Sequence, residues 1–250
     1  MSIAIITGGS RGLGRSVAVH LAERGTDIIL TYRNQQTQAE EVVQQIEGKG
    51  RKAVALALDI SDSRTFSAFA DAVKAALEGT WGRKDFDFLV NNAGIGLNES
   101  FMETSEGQFD QLMSIHLKGP FFLSQKLLPF MRNGGRVLNI SSGLARFSMP
   151  GYSAYAAMKG AMEVLTRYMA KELGPRRITV NILAPGAIET DFGGGQVRDN
   201  KQLNALVASN TALGRAGLPD DIGNAAALLL SDESSWINGQ RVEASGGMFI

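Results

Sequence analysis

Four glycines fall within eight residues in Thr7-Gly8-Gly9-Ser10-Arg11-Gly12-Leu13-Gly14. The run follows an apolar stretch and opens a helical one. Glycine lets the backbone turn tightly and approach a pyrophosphate, and the N-terminus of the next helix offers free N–H groups and a favourable dipole. The spacing is Gly-x-x-x-Gly-x-Gly, not the Gly-x-Gly-x-x-Gly of the commonest dinucleotide fold, so alone it competes with an ordinary Gly-rich turn. The second apolar run ends Leu30-Thr31-Tyr32-Arg33-Asn34, without an acid. An acid there would bond the ribose 2′-hydroxyl of NAD and repel a 2′-phosphate, whereas arginine forks onto phosphate. Either Arg33 or Arg11 alone reads as a surface residue. Together, at the two places a 2′-phosphate would lie, they point to NADP(H).

A second constellation lies downstream. Tyr155 and Lys159 are four residues apart near the start of a helical stretch, so they share one face. Ser153 is the expected N-cap of that helix. An apolar run upstream ends Asn139-Ile140-Ser141-Ser142. An isolated Tyr-x-x-x-Lys is most often a pair of surface residues. Its weight comes from following a Gly loop and a strand-end serine.

Short apolar runs alternate with longer helical stretches. Strands are expected at 2–7, 27–32, 53–59, 86–91, 136–141, 179–184 and 240–244. Helices are expected near 13–24, 36–48, 63–78, 106–131, 153–173 and 219–230. The strands are nearly continuous in apolar residues, as strands covered on both faces are. The alternation predicts an α/β fold, a doubly wound parallel seven-stranded sheet, in one domain over 1–250. Ligands then bind beyond the carboxyl ends of the strands, where the Gly loop and Ser142 fall.

Composition narrows the classes. Lys plus Arg and Asp plus Glu are 25 each, so no electrostatic surface for nucleic acid or membrane is expected. The absence of cysteine excludes disulfides and thiolate chemistry, and with only His20 and His116 no metal site is expected. The apolar run 3–6 is far short of a signal core or a membrane span. A soluble, cytoplasmic protein is expected.

These motifs together resemble the short-chain dehydrogenase/reductase family over nearly the full length. The resemblance rests on Thr7–Gly14, Asp59-Ile60, Asn91-Asn92-Ala93-Gly94, Ser142, Tyr155-Ala156-Ala157-Met158-Lys159 and Pro185-Gly186-Ala187-Ile188-Glu189-Thr190. Within the family the chain is most similar to 3-oxoacyl-carrier-protein reductases and related ketone reductases. The resemblance implies that Gly8, Ser10, Arg11, Gly12, Leu13, Gly14 and Arg33 bind the cofactor. It places Asp59 and Ile60 at the adenine and Asn92, Ala93 and Gly94 along the ribose channel. Ile188 and Thr190 would hold the carboxamide and nearby phosphate, while Pro185-Gly186 permits close backbone approach. It also implies a homotetramer, with interfaces near 106–131, 153–173 and 240–250. Phe121, Phe122, Phe130 and Met162 would lie there unless the monomer covers them.

The implied reaction delivers hydride to a carbonyl carbon, so negative charge develops on oxygen and an acid must protonate it. Tyr155 is the expected acid, and Ser142 hydrogen-bonds the same oxygen. A free phenol has a pKa of about 10, so the Lys159 ammonium is expected to lower it. Lys159 is also expected to bind the nicotinamide ribose. No metal is needed.

One residue departs from the family pattern. Ser114-Ile115-His116-Leu117-Lys118-Gly119-Pro120 carries His116 where the family usually has Asn. That Asn supports a water linking the lysine to solvent, partly through its carbonyl. Pro120 has no N–H to offer the carbonyl of His116, so that carbonyl is expected to stay open to water. A ring that merely packs beside a kink and a ring that shuttles protons both remain open.

The segments 143–152 and 187–214 are expected to surround the substrate, the second as a lid hinged at Gly193-Gly194-Gly195. Leu144, Phe147, Met149, Tyr152, Phe192, Leu203 and Val207 would make an apolar pocket, suited to an acyl chain or ring ketone. Substrate linked to an acyl carrier protein stays open. Arg132, Arg136, Arg176 and Arg177 are too few in a neutral protein to establish one. Two further readings stay open: a sugar or polyol dehydrogenase, and a non-catalytic NADP(H) sensor or scaffold.

Overall fold

In a computed structural model describing residues 1–250, the seven apolar runs form strands β1 (Ser2–Ile6), β2 (Thr26–Tyr32), β3 (Ala53–Ala57), β4 (Phe86–Asn91), β5 (Met131–Ile140), β6 (Thr179–Pro185) and β7 (Arg241–Ala244). All pair in parallel, in the order β3-β2-β1-β4-β5-β6-β7. This is the expected doubly wound sheet. Ile3, Ala4, Ile5 and Ile6 are fully buried, because helices cover both faces of the sheet. One layer contains α1 (Gly12–Glu23), α2 (Gln36–Glu47) and α9 (Pro219–Leu229), packed through Val17, Val42 and Ile222. The other contains α3 (Phe66–Ala76), α5 (Gly119–Leu127) and α6 (Ser153–Leu173), packed through Phe66, Leu123 and Ala170. β1 lies between β2 and β4, so the chain reverses its winding there. The loops after β1 and β4 diverge at that point and leave a crevice. No helix is long and apolar enough to cross a membrane.

The expected helix 106–131 is instead broken. It comprises α4 (Glu106–Met113), a π turn over Ser114–Lys118, α5 and a 3-10 turn over Leu128–Phe130. Ser105 and Gln108 start it with a reciprocal capping box. The break falls ahead of Pro120, where the N–H of Gly119 bonds the carbonyl of Ser114, five residues back. A π turn absorbs the missing donor by widening the helix.

β5 starts five residues earlier than expected, at Met131, paired with Phe86. A register shift between Phe86 and Phe88, with Gly134 at φ 80°, takes up the irregular Asn133-Gly134-Gly135. Ser153 is not the cap of α6. That position is Tyr152, and Ser153 is the first helical residue.

The segment 187–214 contains two helices that no strong pattern announced, α7 (Gln196–Asp199) and α8 (Lys201–Ser209). The Asn200 carboxamide accepts the N–H groups of Gln202 and Leu203, at 3.0 and 3.1 Å, and so caps α8.

Candidate active site

A cleft of ≈ 670 Å³ runs across the carboxyl ends of the strands. Its cofactor half is built around the turn from β1 into α1. Gly8 and Gly12 have φ of 65° and 54°, a conformation that side chains disfavour. The Thr7 hydroxyl accepts the N–H groups of Asn92 and Ala93, at 2.9 and 3.0 Å. The Asn92 carboxamide in turn donates to the carbonyls of Thr7 and Gly8, at 2.9 and 3.1 Å. The loop after β4 therefore fixes the glycine turn, and Asn92, Ala93 and Gly94 line the cleft beside Gly8, Ser10, Gly12 and Leu13. Gly14 does not reach the cleft surface. It sits behind the turn, where a Cβ would lie 2.2 Å from the carbonyl oxygen of Gly8. Its role is to let the loop close onto its own helix.

At the far end of this half, Arg11 is exposed and makes no ion pair, while Arg33 pairs with Asp59 at 3.0 Å. Asp59 also accepts the N–H and hydroxyl of Ser61, at 2.9 and 2.6 Å. Burial opposes the charge on Asp59, but Ser61 and Arg33 prevail and hold the carboxyl below its usual range. Ile60 lines the adjoining wall. The cradle fits a dinucleotide carrying a 2′-phosphate: a glycine turn at a helix N-terminus, two guanidinium groups, and no acid at the end of β2.

Ser142, Tyr155 and Lys159 converge in the middle of the cleft. Ser142 follows β5 in extended conformation, and its Oγ accepts the N–H of Leu144 at 3.2 Å. Tyr155 and Lys159 come from the first turns of α6, and both side chains are buried. Burial pushes the Tyr155 phenol above its ordinary range, while the Ser142 hydroxyl pulls the other way. The expected depression by Lys159 is not present here, because the ammonium is turned to the Ile140 carbonyl, 2.8 Å away. Burial also lowers Lys159, to about 8. The phenol is thus held protonated, as a proton donor must be.

His116 packs edge-on to Tyr155, with ring centroids 5.1 Å apart. Its Nε2 lies 2.9 Å from the carbonyl oxygen of Ile95 and 3.3 Å from the Ile95 nitrogen. One ring nitrogen cannot donate and accept at once, so it serves only one of these groups. Nδ1 is buried without a partner. Burial first, and the Lys159 charge second, outweigh the Ile95 carbonyl and lower His116 to about 3. The ring is neutral at working pH, which disfavours the proton-shuttle reading.

The other half of the cleft is apolar. Leu144, Phe147, Met149, Tyr152 and Phe192 line it with Leu203 and Val207. Phe192 packs beside Tyr155, ring centroids 5.8 Å apart. Pro185, Gly186, Ile188 and Thr190 join the two halves. Asp191 is neutralised by Arg198 at 2.6 Å. Met248 also lines the pocket, although no local sequence pattern places it there.

The four arginines weighed for a carrier lie elsewhere. Arg132 and Arg136 lie in β5, away from its carboxyl end, and Arg176 and Arg177 precede β6. Arg132 pairs with Asp87 at 3.1 Å and Arg136 with Asp232 at 2.9 Å, while Arg176 donates to the carbonyls of Leu128 and Met131.

A parallel sheet, a glycine turn at its switch point and a Ser–Tyr–Lys cluster in the cleft define a nucleotide-dependent oxidoreductase. The family model described as enoyl-(acyl carrier protein) reductase matches residues 8–249. The chain belongs to the short-chain dehydrogenase/reductase family. It is 36% identical over 250 residues to the 3-oxoacyl-[acyl-carrier-protein] reductase FabG of Staphylococcus aureus, covering 99% of this chain and 98% of that protein. It is 34% identical over 256 residues to the short chain dehydrogenase claC of Passalora fulva, covering 98% and 93%. Among solved structures, the promiscuous reductase LugOII, which catalyses keto-reduction at C1 during lugdunomycin biosynthesis, is similar at a TM-score of 0.94. Identity there is 35%, covering 100% of this chain and 98% of that one. The angucycline C-6 ketoreductase LanV, solved with bound NADP, is similar at a TM-score of 0.93 and 33% identity, covering 99% and 95%.

Proposed function

We propose that the protein is an NADPH-dependent reductase converting an uncharged, apolar ketone into a secondary alcohol. The observation that carries this reading is the convergence of Ser142, Tyr155 and Lys159 between a phosphate cradle and an apolar pocket. NADPH supplies the hydride. Tyr155 donates its proton to the carbonyl oxygen, which Ser142 holds in place. Lys159 leaves the Ile140 carbonyl to stabilise the tyrosinate and to bind the nicotinamide ribose. Residues 1–250 act as one cytoplasmic unit, and 187–214 is its lid, with Gly193, Gly194 and Gly195 all at positive φ. The lid seats Phe192 over the reacting centre and excludes water.

The test is NADPH consumption across cyclic ketones, diketones, β-ketoacyl thioesters and sugars. Apolar ketones are the expected substrates, with the acyl-carrier-linked form distinguished by thioester length and carrier. NADP+-dependent oxidation of a polyol faster than any ketone reduction would favour the dehydrogenase reading. Tight NADPH binding with no turnover of any ketone would favour the sensor.

NADPH is expected to bind more tightly than NADH, by about tenfold or more. One charge-assisted bond of about 1.5–3 kcal/mol suffices for that. Arg33→Ala should narrow the gap, since Arg33 must turn from Asp59 to the phosphate. Equal dissociation constants for the two cofactors in the wild type would refute the clamp.

His116 is assigned as a positioning residue that braces Ile95 beside the site. A carboxamide can accept from one Ile95 group and donate to the other, which the ring cannot. His116→Asn is therefore expected to retain most activity with an unshifted pH profile. The α-register donor to the His116 carbonyl would be Pro120, so that carbonyl is assigned to a water leading to Lys159. A large rate loss with a displaced acidic limb would instead make the imidazole the proton carrier.

A homotetramer completes this reading. Phe121 and Phe122 are 42% and 40% exposed, Tyr168 65% and Trp236 98%. Met162, by contrast, is buried within its own chain. Sedimentation at micromolar concentration should give a tetramer, and a stable monomer would contradict it.

A further inference from the structure

Beyond the Ser–Tyr–Lys cluster lies a connected set of charges that the reaction does not use. Arg146 sits four residues past Ser142, in the loop that carries the serine. Its guanidinium forks onto Glu243 at 2.8 and 2.7 Å. The same group also donates to the main-chain carbonyls of Met248, at 2.7 Å, and Phe249, at 3.2 Å. The Phe249 ring packs on Phe147, a pocket residue, with centroids 4.8 Å apart.

The segment 246–249 is tied on its other side to the base of the lid. The N–H groups of Ala212 and Leu213 donate to the carbonyls of Gly247 and Gly246, and the N–H of Phe249 donates to the carbonyl of Asn210. Thr211 and Met248 form an antiparallel bridge. The segment therefore spans from the end of the lid to the serine loop. It turns the Met248 side chain, 3% exposed, into the pocket.

Glu243 is braced from behind. Arg241 donates to it at 2.7 Å and to Glu163 at 2.7 Å, and Glu163 accepts the Ser141 hydroxyl at 2.7 Å. The serine loop is thus gripped at Ser141 and again at Arg146. Arg146 alone links that loop to the backbone of the pocket wall by side-chain hydrogen bonds. Its fork fixes the guanidinium plane, so its remaining donors are preset for two carbonyls.

We propose that Arg146 is a specificity-determining positioning residue, which sets the pocket wall by holding the Met248–Phe249 backbone against the serine loop. It touches neither the reacting atoms nor the cofactor cradle. Its loss therefore loosens substrate binding without disabling proton transfer. This inference rests on the reductase reading of the same cleft.

The test uses the full chain and whichever ketone the wild type reduces best. Arg146→Gln should raise KM about tenfold, the worth of one good contact, with kcat and the Kd for NADPH nearly unchanged. Met248→Ala should raise KM similarly, and Arg146→Gln with Met248→Ala should be no worse than the larger single effect, because both remove one wall. In Arg146→Gln, backbone amides of 246–249 should exchange hydrogen faster while those of the β1–α1 turn stay protected. An unchanged KM, fully additive KM effects, or a kcat loss as large as that in kcat/KM would overturn the assignment. Unchanged exchange at 246–249 would overturn it even if no ketone is turned over. Absence of wild-type turnover by itself counts against the reductase reading instead.

Discussion

Tyr155→Phe is expected to lower ketone turnover by about 10²–10⁴-fold, the usual worth of a positioned general acid. NADPH affinity should persist. The substitution removes one hydroxyl and keeps the ring that packs against His116 and Phe192. Neither His116 nor Ser142 can take over the donation. His116 is neutral at working pH and buried, and Ser142 is too weak an acid. Steady-state kinetics and a fluorescence titration of NADPH separate the two effects. Retention of half the wild-type rate would make the proposed chemistry wrong.

Lys159→Met is expected to damage both turnover and NADPH binding, because the ammonium is assigned to tyrosinate and ribose together. Loss of a charge-assisted bond of about 1.5–3 kcal/mol weakens the cofactor by about tenfold or more. The fall in kcat should be larger than that. Methionine fills nearly the same volume, so packing should survive. The pH dependence carries a second signature. Burial lowers Lys159 to about 8, so its charge is present below that pH and is lost as pH rises through it. Reductase activity should accordingly fall on the alkaline side near pH 8. Arginine does not titrate there, so whatever activity Lys159→Arg keeps should lack that limb. A Lys159→Met enzyme with wild-type NADPH affinity, or an alkaline limb that persists in Lys159→Arg, would refute the assignment.

The parts of this molecule legible in its sequence are those written locally. Ile3–Ile6 and Phe86–Asn91 read as buried strands because every residue must be apolar or paired when both faces are covered. The Gly8–Gly12 turn is legible because few other residues adopt its backbone. Long-range contacts were not legible. Met248 enters the pocket through contacts distant in sequence, the pairing of Gly246 and Gly247 with Leu213 and Ala212 and the bond from Arg146 to its carbonyl. Nothing around residue 33 announces its ion pair with Asp59, or around residue 159 the bond to Ile140. Helix α8 is hard to read from sequence although Asn200 caps it and Leu203 and Val207 repeat four apart, because the three preceding glycines favour a loop. The π turn is an intermediate case. Pro120 announced a disturbance, but whether a helix kinks or widens depends on what it packs against.

The crevice between β1 and β4 has a consequence for how the chain becomes competent. Ala4 pairs with Phe88, and Asn92 holds the carbonyls of Thr7 and Gly8. The first strand and its turn are synthesised early, yet their partner arrives more than eighty residues later. Joining such distant segments is entropically slow, as in any parallel sheet. The nucleotide cradle therefore closes only when the centre of the sheet has assembled. A nascent chain ending before residue 86 has the glycine turn but no wall behind it. Dinucleotide thus binds the assembled sheet alone, and at a hundred times its Kd it would stabilise that state by about 2.7 kcal/mol. Cellular cofactor supply then acts on the lifetime of the folded protein as well as on its rate.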